Sequence, residues 1–523
     1  MSPFSSKPPR NAPREPPVVP ARVAALKADY RQAWLYFFLI ISLTVAWAVP
    51  IRICWMRRNP FRAEDRGPRD AQTFLAIAFE GVSDSPREIS PERFRQHLDG
   101  LTRAGYVPIT LEEVHAFYTQ GTPLPRRAVL LTFDHSRKSS YFDVRTPLRR
   151  AGWNAVMFLW TQPILDEDPS ALRWPYVRDM IRSGFWEAGA QSHLGFSQIP
   201  ADSQGTRQNF MTTPQWLEAE SRFESPDQFH DRLLADHEFT VRTITRHART
   251  APRAFAFPFG DFGQFDERAQ LTRRINIDLV SQFYDLGFVH GLIGLNTRYS
   301  DPRRLNRLLV RPEWTPEEFL RRVELSWPNP DGFTSPGILR EPLAWIPEWG
   351  QAGLREQTLT LRATPESTGA KTWLNGTALY GDFHGSFRIR LPAGQLGLFL
   401  RASPDGESYL YLGLGDGGDA YLRQKHPGLD PFTLGTGTFS PDANGLLHLE
   451  LFLRGRSLLA TLNGRPLFSE LIDIRGTPAP GMIGFSIWHP EPGRAAADLL
   501  HLHLDLFRPG LVTWPPTPAA DPL

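Results

Sequence analysis

From about Thr73 to Trp327, short apolar runs alternate with amphipathic stretches, and few folds accommodate that order. FLAIAFEGV, AVLLTFD and NAVMFLW have the length and content of buried strands, whereas SPERFRQHLDGLTRAGY repeats its apolar residues with a helical period. Strands that alternate with helices predict a parallel sheet with covered faces, either open or closed into a barrel. In such folds the functional side chains gather beyond the carboxyl ends of the strands.

The pattern of apolar and polar residues changes after residues 328–349, a stretch rich in Pro, Gly and Trp that we interpret as a linker. Residues 350–510 contain short segments of alternating apolar and polar residues, such as YLYLGL and LLHLELFLRG, separated by Gly, Pro, Asn and Asp. Asn463–Gly464 is typical of a hairpin turn. This pattern predicts an all-β sandwich, followed by a tail at 511–523.

The amino-terminal part has a different character again. Residues 1–32 are rich in Pro and Arg and are predicted to be a disordered tail. The next run, AWLYFFLIISLTVAWAVPI, carries no charge and is long enough to cross a bilayer as one helix. We predict a single transmembrane anchor at 33–53 and a juxtamembrane linker at 54–72. A cleaved signal peptide is the alternative, but the run is longer than a usual signal core.

The composition limits which ligands and metal sites the chain can support. The 523 residues carry a formal charge of +2, and such a balance argues against nucleic-acid binding because it leaves no basic excess to neutralise phosphates. Cys54 is the single cysteine, which excludes an intrachain disulfide and a zinc site built from cysteines. Any metal would therefore be held by His, Asp or Glu.

The stretch LLTFDHSRKSSY ends an apolar strand on Asp134 and His135. A carboxylate and an imidazole at the carboxyl end of a parallel strand are candidates for a general base and a metal ligand. The alternative is an aspartate that only caps the following turn.

Several stretches of the alternating region resemble the polysaccharide deacetylase (NodB-homology) family, and most of all its branch of poly-β-1,6-N-acetylglucosamine deacetylases. The resemblance covers roughly residues 73–325 and rests on ISPERFRQHLDGLTRAGYVPITLEEV, RAVLLTFD, AFAFPFGDF and LGFVHGLIGLNTRYSDPRRLNRLLVRPEWTPEEFL. It implies an α/β fold with a (β/α) barrel of about seven strands at 73–327 and a groove for an N-acetylated glycan.

The resemblance also implies roles for single residues. In the family motif T-F-D-D-G the first Asp is the base and the second binds a divalent metal, so Asp134 is expected to be catalytic and His135 to replace the metal carboxylate. The family motif H-[ST]-x-x-H matches AGAQSHLGFSQI in two registers. The first register puts His193 and Ser197 at the two His positions, and the second puts Gln191 and Gly195 there and keeps neither ligand.

We favour the first register, so His135 and His193 are the predicted ligands of a zinc, nickel or cobalt ion. Glu187 or Asp261 are candidates for a third ligand. Where the family usually has Tyr-His-Asp, this chain has Phe79-Glu80-Gly81, which removes two polar groups.

The segment AFAFPFGDF resembles the family's aromatic–Pro–aromatic–Gly loop. We expect its residues and a neighbouring arginine to bind substrate, although a purely structural turn is equally compatible with the pattern. The predicted substrate-binding residues are Arg253, Pro258, Phe259, Gly260 and Asp261. His290 is either a general acid or a core histidine, and Asn296, Arg307 and Arg311 either line the groove or pair with acidic neighbours.

The region 350–510 resembles concanavalin-like or laminin-G-like jelly rolls, which often bind glycans. Fold alone does not give function, so a spacer or interaction module is the alternative. Trp373, Tyr409, Tyr411 and Trp488 are either sugar platforms or core residues.

Two main functions follow from these expectations. The first is a membrane-anchored deacetylase that removes N-acetyl groups from an amino-sugar polymer, with its body outside the cytoplasm, at a bacterial inner membrane facing the periplasm. The second is an inactive barrel that binds glycan and assists partner proteins in exopolysaccharide synthesis, export or attachment. A glycoside hydrolase is weaker, because Asp134 has no clear second carboxylate partner.

Overall fold

A computed structural model describes residues 33–44, 68–264, 270–442, 445–476 and 479–507. The chain divides into two compact units, residues 1–59 and residues 60–523. In the first unit residues 33–44 are helical, and the rest of the predicted anchor, the predicted tail 1–32 and most of the juxtamembrane linker lie outside the described residues. Within the described ranges, no helix combines the length and the apolar character needed to cross a membrane.

Seven parallel strands form a closed barrel in the first half of the larger unit. Each strand pairs with the next along the chain, and the last pairs with the first. This arrangement confirms the predicted barrel of about seven strands. The strands are β1 (Thr73–Phe79), β2 (Ala128–Phe133), β3 (Ala155–Leu159), β4 (Trp186–Ala190), β5 (Ala254–Ala256), β6 (Leu286–Gly291) and β7 (Leu305–Leu309).

Helices cover the outside of the barrel. They are α1 (Pro91–Arg103), α2 (Leu111–Thr119), α3 (Arg145–Ala151), α4 (Thr161–Leu165), α5 (Trp174–Arg182), α6 (Pro226–Ala248), α7 (Gln270–Phe283) and α8 (Pro316–Ser326). Local sequence sets several of their starts: Ser90 accepts a hydrogen bond from the Arg93 N–H, and Thr110 forms a reciprocal capping box with Glu113.

Shorter elements join these parts. Leu295–Thr297 pairs antiparallel with β1, and Val107–Pro108 pairs parallel with β2. The remaining short strands form three small ribbons: Arg69–Ala71 with Leu124–Pro125, Gln198–Pro200 with Arg207–Asn209, and Trp216–Leu217 with Arg222–Phe223. Ser140–Val144 is a π-helical turn, and Glu218–Glu220 and Pro258–Gly260 are 3₁₀ turns.

The barrel strands bury both of their faces, as parallel strands under helices must. One set of alternate residues, including Leu130, Phe158 and Phe288, packs inside the barrel in one cluster. The other set, including Leu131 and Met157, packs outward against the helices. This period-two alternation decides which residues beyond the strand ends point towards the barrel axis.

The second half of the larger unit is an all-β sandwich, as predicted. One sheet has the order β8-β11-β19-β13-β14-β15-β16, and the facing sheet has the order β9-β10-β20-β12-β17-β18, extended by Arg465–Pro466. Two further short strands, Phe333–Thr334 and Ile472–Asp473, pair with β20 and β18. The strands are β8 (Trp345–Trp349), β9 (Gln351–Arg355), β10 (Thr358–Arg362), β11 (Gly369–Leu374), β12 (Phe383–Ala393), β13 (Gln395–Ala402), β14 (Tyr409–Gly415), β15 (Asp419–Lys425), β16 (Phe432–Thr438), β17 (Leu446–Arg454), β18 (Ser457–Leu462), β19 (Met482–Trp488) and β20 (Ala496–Leu506).

The segment that joins the barrel to the sandwich is not free of structure. It contains the 3₁₀ turns Ile338–Arg340 and Pro342–Ala344, and β8 begins at Trp345, inside the stretch interpreted as a linker. The barrel also contacts the sandwich directly, because Arg273 pairs with Glu407 at 2.6 Å. Trp373 of the sandwich belongs to the same buried cluster as the outer barrel core.

Candidate functional site

The inward-facing columns of the barrel converge on a polar site beyond the carboxyl ends of the strands. Leu130 and Thr132 face inward on β2, and the next inward position is Asp134; Phe158 on β3 is likewise followed by Trp160. The same alternation selects the other members of the site. The inward positions at this end are Glu80, Asp134, Trp160, Gln191, Pro258, His290 and Arg307.

Asp134 is the buried centre of this end of the barrel, with 1 % of its surface exposed. Arg307 from β7 donates from Nη1 to Oδ1 at 2.6 Å and from Nη2 to Oδ2 at 3.0 Å. Arg307 is itself fully buried and lies over the ring of Phe158. His290 from β6 places its Nε2 3.4 Å from Oδ2. The alternative in which Arg307 pairs with an acidic neighbour is therefore confirmed, and that neighbour is the candidate base.

These contacts decide the charge of Asp134. Burial alone would raise the pKa of its carboxyl, but the Arg307 guanidinium and His290 hold that pKa well below its usual range. Asp134 is consequently ionised at neutral pH. A carboxylate whose pKa is so low and whose two oxygens are both bound is a weak base.

His135 and Gln191 meet directly after Asp134. His135 and Ser136 both adopt left-handed backbone conformations, with φ of 63° and 51°. The His135 N–H donates to Oε1 of Gln191 at 2.8 Å. The His135 ring packs against Phe196, with centroids 4.9 Å apart. Burial lowers the pKa of His135, which favours the neutral imidazole.

His193 is oriented differently. Ser192 has a left-handed φ of 68°, which turns the chain after Gln191. Nδ1 of His193 lies 3.1 Å from Oγ1 of Thr161, and its ring packs on Phe239. Burial lowers the pKa of His193 as well. The side chain that contacts the turn after Asp134 is Gln191, which is the arrangement of the second motif register.

The second His position of that register is Gly195. A Cβ there would lie 2.5 Å from Cγ of Pro258, so the loop after β5 leaves no room for a larger residue. Within the described ranges, no three His, Cys, Asp or Glu side chains lie close enough together to hold a metal ion. The Gln191 amide is engaged by a backbone N–H, and Gly195 has no ligand atom. The residues present do not fit the two-histidine, one-carboxylate metal centre of the resembled family. In the part of the chain that the structure describes, no third His, Cys, Asp or Glu lies close enough to His135 and His193 to complete a metal site with them.

The loop after β5 closes one side of the site. Phe259 adopts a left-handed φ of 58°, and a Cβ on Gly260 would lie 2.7 Å from the backbone nitrogen of His290. The Asp261 carboxylate accepts hydrogen bonds from Oγ1 of Thr212 at 3.1 Å and from the Gly263 N–H at 2.8 Å, so it binds residues around its own loop. The predicted group Pro258, Phe259 and Gly260 therefore does lie beside the site.

Two candidates from the sequence lie at the opposite end of the barrel. Arg253 directly precedes β5, so it is at the amino ends of the strands, where it pairs with Asp285 at 2.6 Å and with Glu112. Glu187 is at the start of β4, and its Oε2 accepts from the Leu111 N–H at 2.9 Å. Neither side chain joins Asp134, and the open suggestion that Glu187 completes a metal site is not met.

Three aromatic side chains lie in a row beside the site, and only Phe259 among them was predicted from the sequence. The ring centroids of Trp160 and Phe196 are 4.6 Å apart, and those of Phe196 and Phe259 are 5.0 Å apart. Phe259 is 49 % exposed. The position of Trp160 directly after β3 was a sufficient signal, because that is where parallel strands present functional side chains. We call Trp160, Phe196 and Phe259 the aromatic rim.

No protein-family profile matches the chain. In sequence the chain is similar to poly-β-1,6-N-acetyl-D-glucosamine N-deacetylase of Escherichia coli K12, with 24% identity over 225 residues. The match covers 39% of this chain and 33% of the relative, so the chain spans about a third of the length of the curated relatives it matches.

Two solved structures are each similar to a part of the chain. A de-N-acetylase from Aggregatibacter actinomycetemcomitans is 21% identical with a TM-score of 0.41, and the alignment covers 46% of this chain and 96% of that one. The carbohydrate-binding module CBM66 from Bacillus subtilis is 14% identical with a TM-score of 0.25, covering 31% of this chain and 95% of that one. The resemblance stated from the sequence, to poly-β-1,6-N-acetylglucosamine deacetylases, is matched by the curated relatives.

Proposed function

We propose that this chain is a polysaccharide deacetylase-like protein whose barrel takes an N-acetylated amino-sugar polymer at the carboxyl ends of its strands. The curated relatives that the chain matches carry the name of a poly-β-1,6-N-acetyl-D-glucosamine N-deacetylase, which supports that substrate class. The observation that carries the proposal is the ionised, buried Asp134 beneath the aromatic rim. Aromatic faces suit the apolar faces of sugar rings, and polar groups below them fix the orientation of a ligand.

Hydrolysis of the acetamide bond is the first candidate activity. It requires a water molecule that attacks the carbonyl carbon and a group that takes its proton, and Asp134 is the carboxylate placed for that role. His290, 3.4 Å from Asp134, is placed to supply a proton to the departing amine. No step is assigned to a metal, since the residues at the ligand places do not fit one.

Binding without hydrolysis is the second candidate, and one observation favours it. Gln191 occupies the position of the first metal-binding histidine of the family motif, and its amide oxygen accepts a hydrogen bond from the His135 N–H. Together with the bidentate Arg307 contact to Asp134, this leaves a site that can orient a polar polymer but has a weak base and no electrophile for the acetamide carbonyl.

One experiment separates the two candidates. The purified full-length protein is incubated with a β-1,6-linked N-acetylglucosamine hexamer, and both binding and acetate release are measured, with chelator and with added zinc, nickel or cobalt. Acetate release that Asp134→Asn abolishes supports hydrolysis. Binding with no acetate release supports the second candidate. Absence of both overturns the proposed function.

The cellular setting is part of the proposal. The uncharged run at 33–51 supports a single-pass anchor, and a cell-envelope polymer as ligand would favour a barrel on the extracytoplasmic side, beside proteins that make or export that polymer. Protease treatment of intact spheroplasts tests this arrangement. Cleavage of the barrel by added protease is the expected result, and full protection contradicts it.

A further inference from the structure

The two faces of the seven-stranded sheet of the sandwich differ in composition. Its inner face packs Leu and Ile side chains such as Leu398, Leu412 and Ile487 against the other sheet. Its outer face carries aromatic and polar side chains instead. In the middle of the outer face, Gly397 of β13 and Gly413 of β14 lie directly opposite each other. Two paired glycines leave a shallow depression in the sheet surface.

Two tyrosine rings lie across this depression. A Cβ on Gly397 would be 2.2 Å from the hydroxyl oxygen of Tyr411, and a Cβ on Gly413 would be 2.5 Å from Cζ of Tyr421. The rings therefore occupy the space that any side chain at the glycines would need. The two rings are stacked at 6.0 Å with 29° between their planes, and both remain partly exposed.

Hydrogen-bonding groups and a third aromatic ring border the tyrosines. The Tyr421 hydroxyl donates to Oε1 of Gln395 at 2.8 Å. Gln395 is paired across the sheet with Trp488, whose side chain is 46 % exposed. The exposed Arg423 places its guanidinium over the ring of Tyr421, 4.4 Å from the centroid, so a ligand that stacks on this ring would displace the Arg423 side chain. We call Tyr411, Tyr421, Trp488, Gln395 and Arg423 the sandwich platform.

The platform adjoins the contact between the two halves of the unit. Phe399, whose ring centroid is 4.9 Å from that of Tyr411, packs against the buried cluster of the barrel. The neighbouring cation Lys371 is neutralised by Glu348 at 2.9 Å. The platform is therefore an open surface that continues from a buried interface, and it has ring faces, amide and guanidinium groups but little net charge.

That combination matches one kind of ligand. A pyranose ring presents axial C–H groups that pack on aromatic faces and equatorial hydroxyls that exchange hydrogen bonds with amide and guanidinium groups. We propose that the sandwich platform is a second glycan-binding site, separate from the barrel, which takes a neutral pyranose polymer.

The test uses the purified full-length protein and calorimetric titration with neutral hexamers of β-1,6-linked N-acetylglucosamine, β-1,4-linked N-acetylglucosamine and β-1,4-linked glucose. We expect the double substitution Tyr411→Ala and Tyr421→Ala to weaken binding of at least one hexamer by about tenfold or more, since two stacking rings are lost. The matched control Tyr421→Phe keeps the ring and should stay within about threefold of wild type. If no hexamer binds, or if the double variant binds as wild type does, the proposal is overturned.

Two further arms keep the result interpretable. Gly413→Ala displaces the Tyr421 ring without removing it and should also weaken binding, which covers the case in which the double variant does not fold. Trp160→Ala alters only the barrel rim and should leave the platform site intact. Loss of one site with retention of the other distinguishes failure of this proposal from failure of the proposed barrel function. Preference for a deacetylated, cationic hexamer over every neutral one contradicts the proposed ligand class.

Discussion

The pair of Asp134 and Arg307 should be the most sensitive point of the barrel, and Arg307→Leu tests this. Both side chains are fully removed from solvent and are joined by two hydrogen bonds, at 2.6 and 3.0 Å. Removal of the arginine leaves the buried Asp134 carboxylate without its guanidinium partner, and His290 remains beside it at 3.4 Å. Leucine fills part of the volume but offers no donor to Asp134.

Breaking one partner of a buried ion pair typically costs about 3–5 kcal/mol, and we expect Arg307→Leu to lower the free energy of unfolding by that amount at neutral pH. The loss should depend on pH. In the wild type, the low pKa of Asp134 gives stability that is present above the unfolded pKa and is lost as pH falls through the folded one. In the variant, burial raises the Asp134 pKa instead, so the difference between the two proteins should shrink as the solution is acidified towards about pH 4.

Urea denaturation followed by near-ultraviolet circular dichroism measures the difference. Arg274→Leu is a matched control, because Arg274 is 81% exposed in its pair with Asp278 and should change stability by less than about 0.5 kcal/mol. Replacement of both Asp134 and Arg307 by Leu should recover much of the lost stability, since no charge is then left unpaired. A loss below about 1 kcal/mol in Arg307→Leu would refute the assignment of a buried pair.

Three further predictions concern other positions of the barrel. Burial raises the pKa of Glu187 from 4.5 to about 7, so wild-type stability should fall between about pH 4.5 and 7 and then level off. Glu187→Gln should remove this fall and be more stable by up to about 3 kcal/mol near pH 8, and identical pH profiles in urea denaturation would contradict this assignment. Gln191→Ala removes the acceptor of a backbone N–H and should lower stability by about 1–2 kcal/mol in the same assay, and an unchanged stability would contradict that contact. Gly195→Ala forces a Cβ against Pro258 and should lower the free energy of unfolding by about 1–3 kcal/mol. Gly353→Ala is the control, because its Cβ meets no atom within 4 Å and should leave stability unchanged, and equal effects of the two substitutions would contradict the packing described.

Much of the fold was predictable because the spacing of apolar residues distinguishes helices from strands. The alternation of strand and helix patterns gave the barrel, and the change to short alternating segments gave the sandwich. The position of Asp134 followed from the rule that parallel strands present functional side chains at their carboxyl ends. The same rule, applied to Arg253, excludes it from the site, since that residue precedes its strand.

The details of the site depend on backbone turns that composition does not reveal. The sequence allowed either Gln191 or His193 at the first His position, and the left-handed Ser192 between them directs His193 towards Thr161. Serine is an uncommon residue for a left-handed backbone conformation, so the sequence does not predict this turn. Trp160 and Phe196 lie in the segments that follow β3 and β4, and their proximity depends on the pairing of these two strands.

The most direct test of the barrel proposal is a titration in a background without the sandwich platform. In a Tyr411→Ala and Tyr421→Ala protein, a β-1,6-linked N-acetylglucosamine hexamer should still bind at one saturable site. That binding should weaken by about fivefold or more when Trp160 is also replaced by Ala, because the site loses a ring of its aromatic rim. No binding in this background, or binding that ignores the loss of Trp160, would contradict the account of the barrel as the place where the polymer is held.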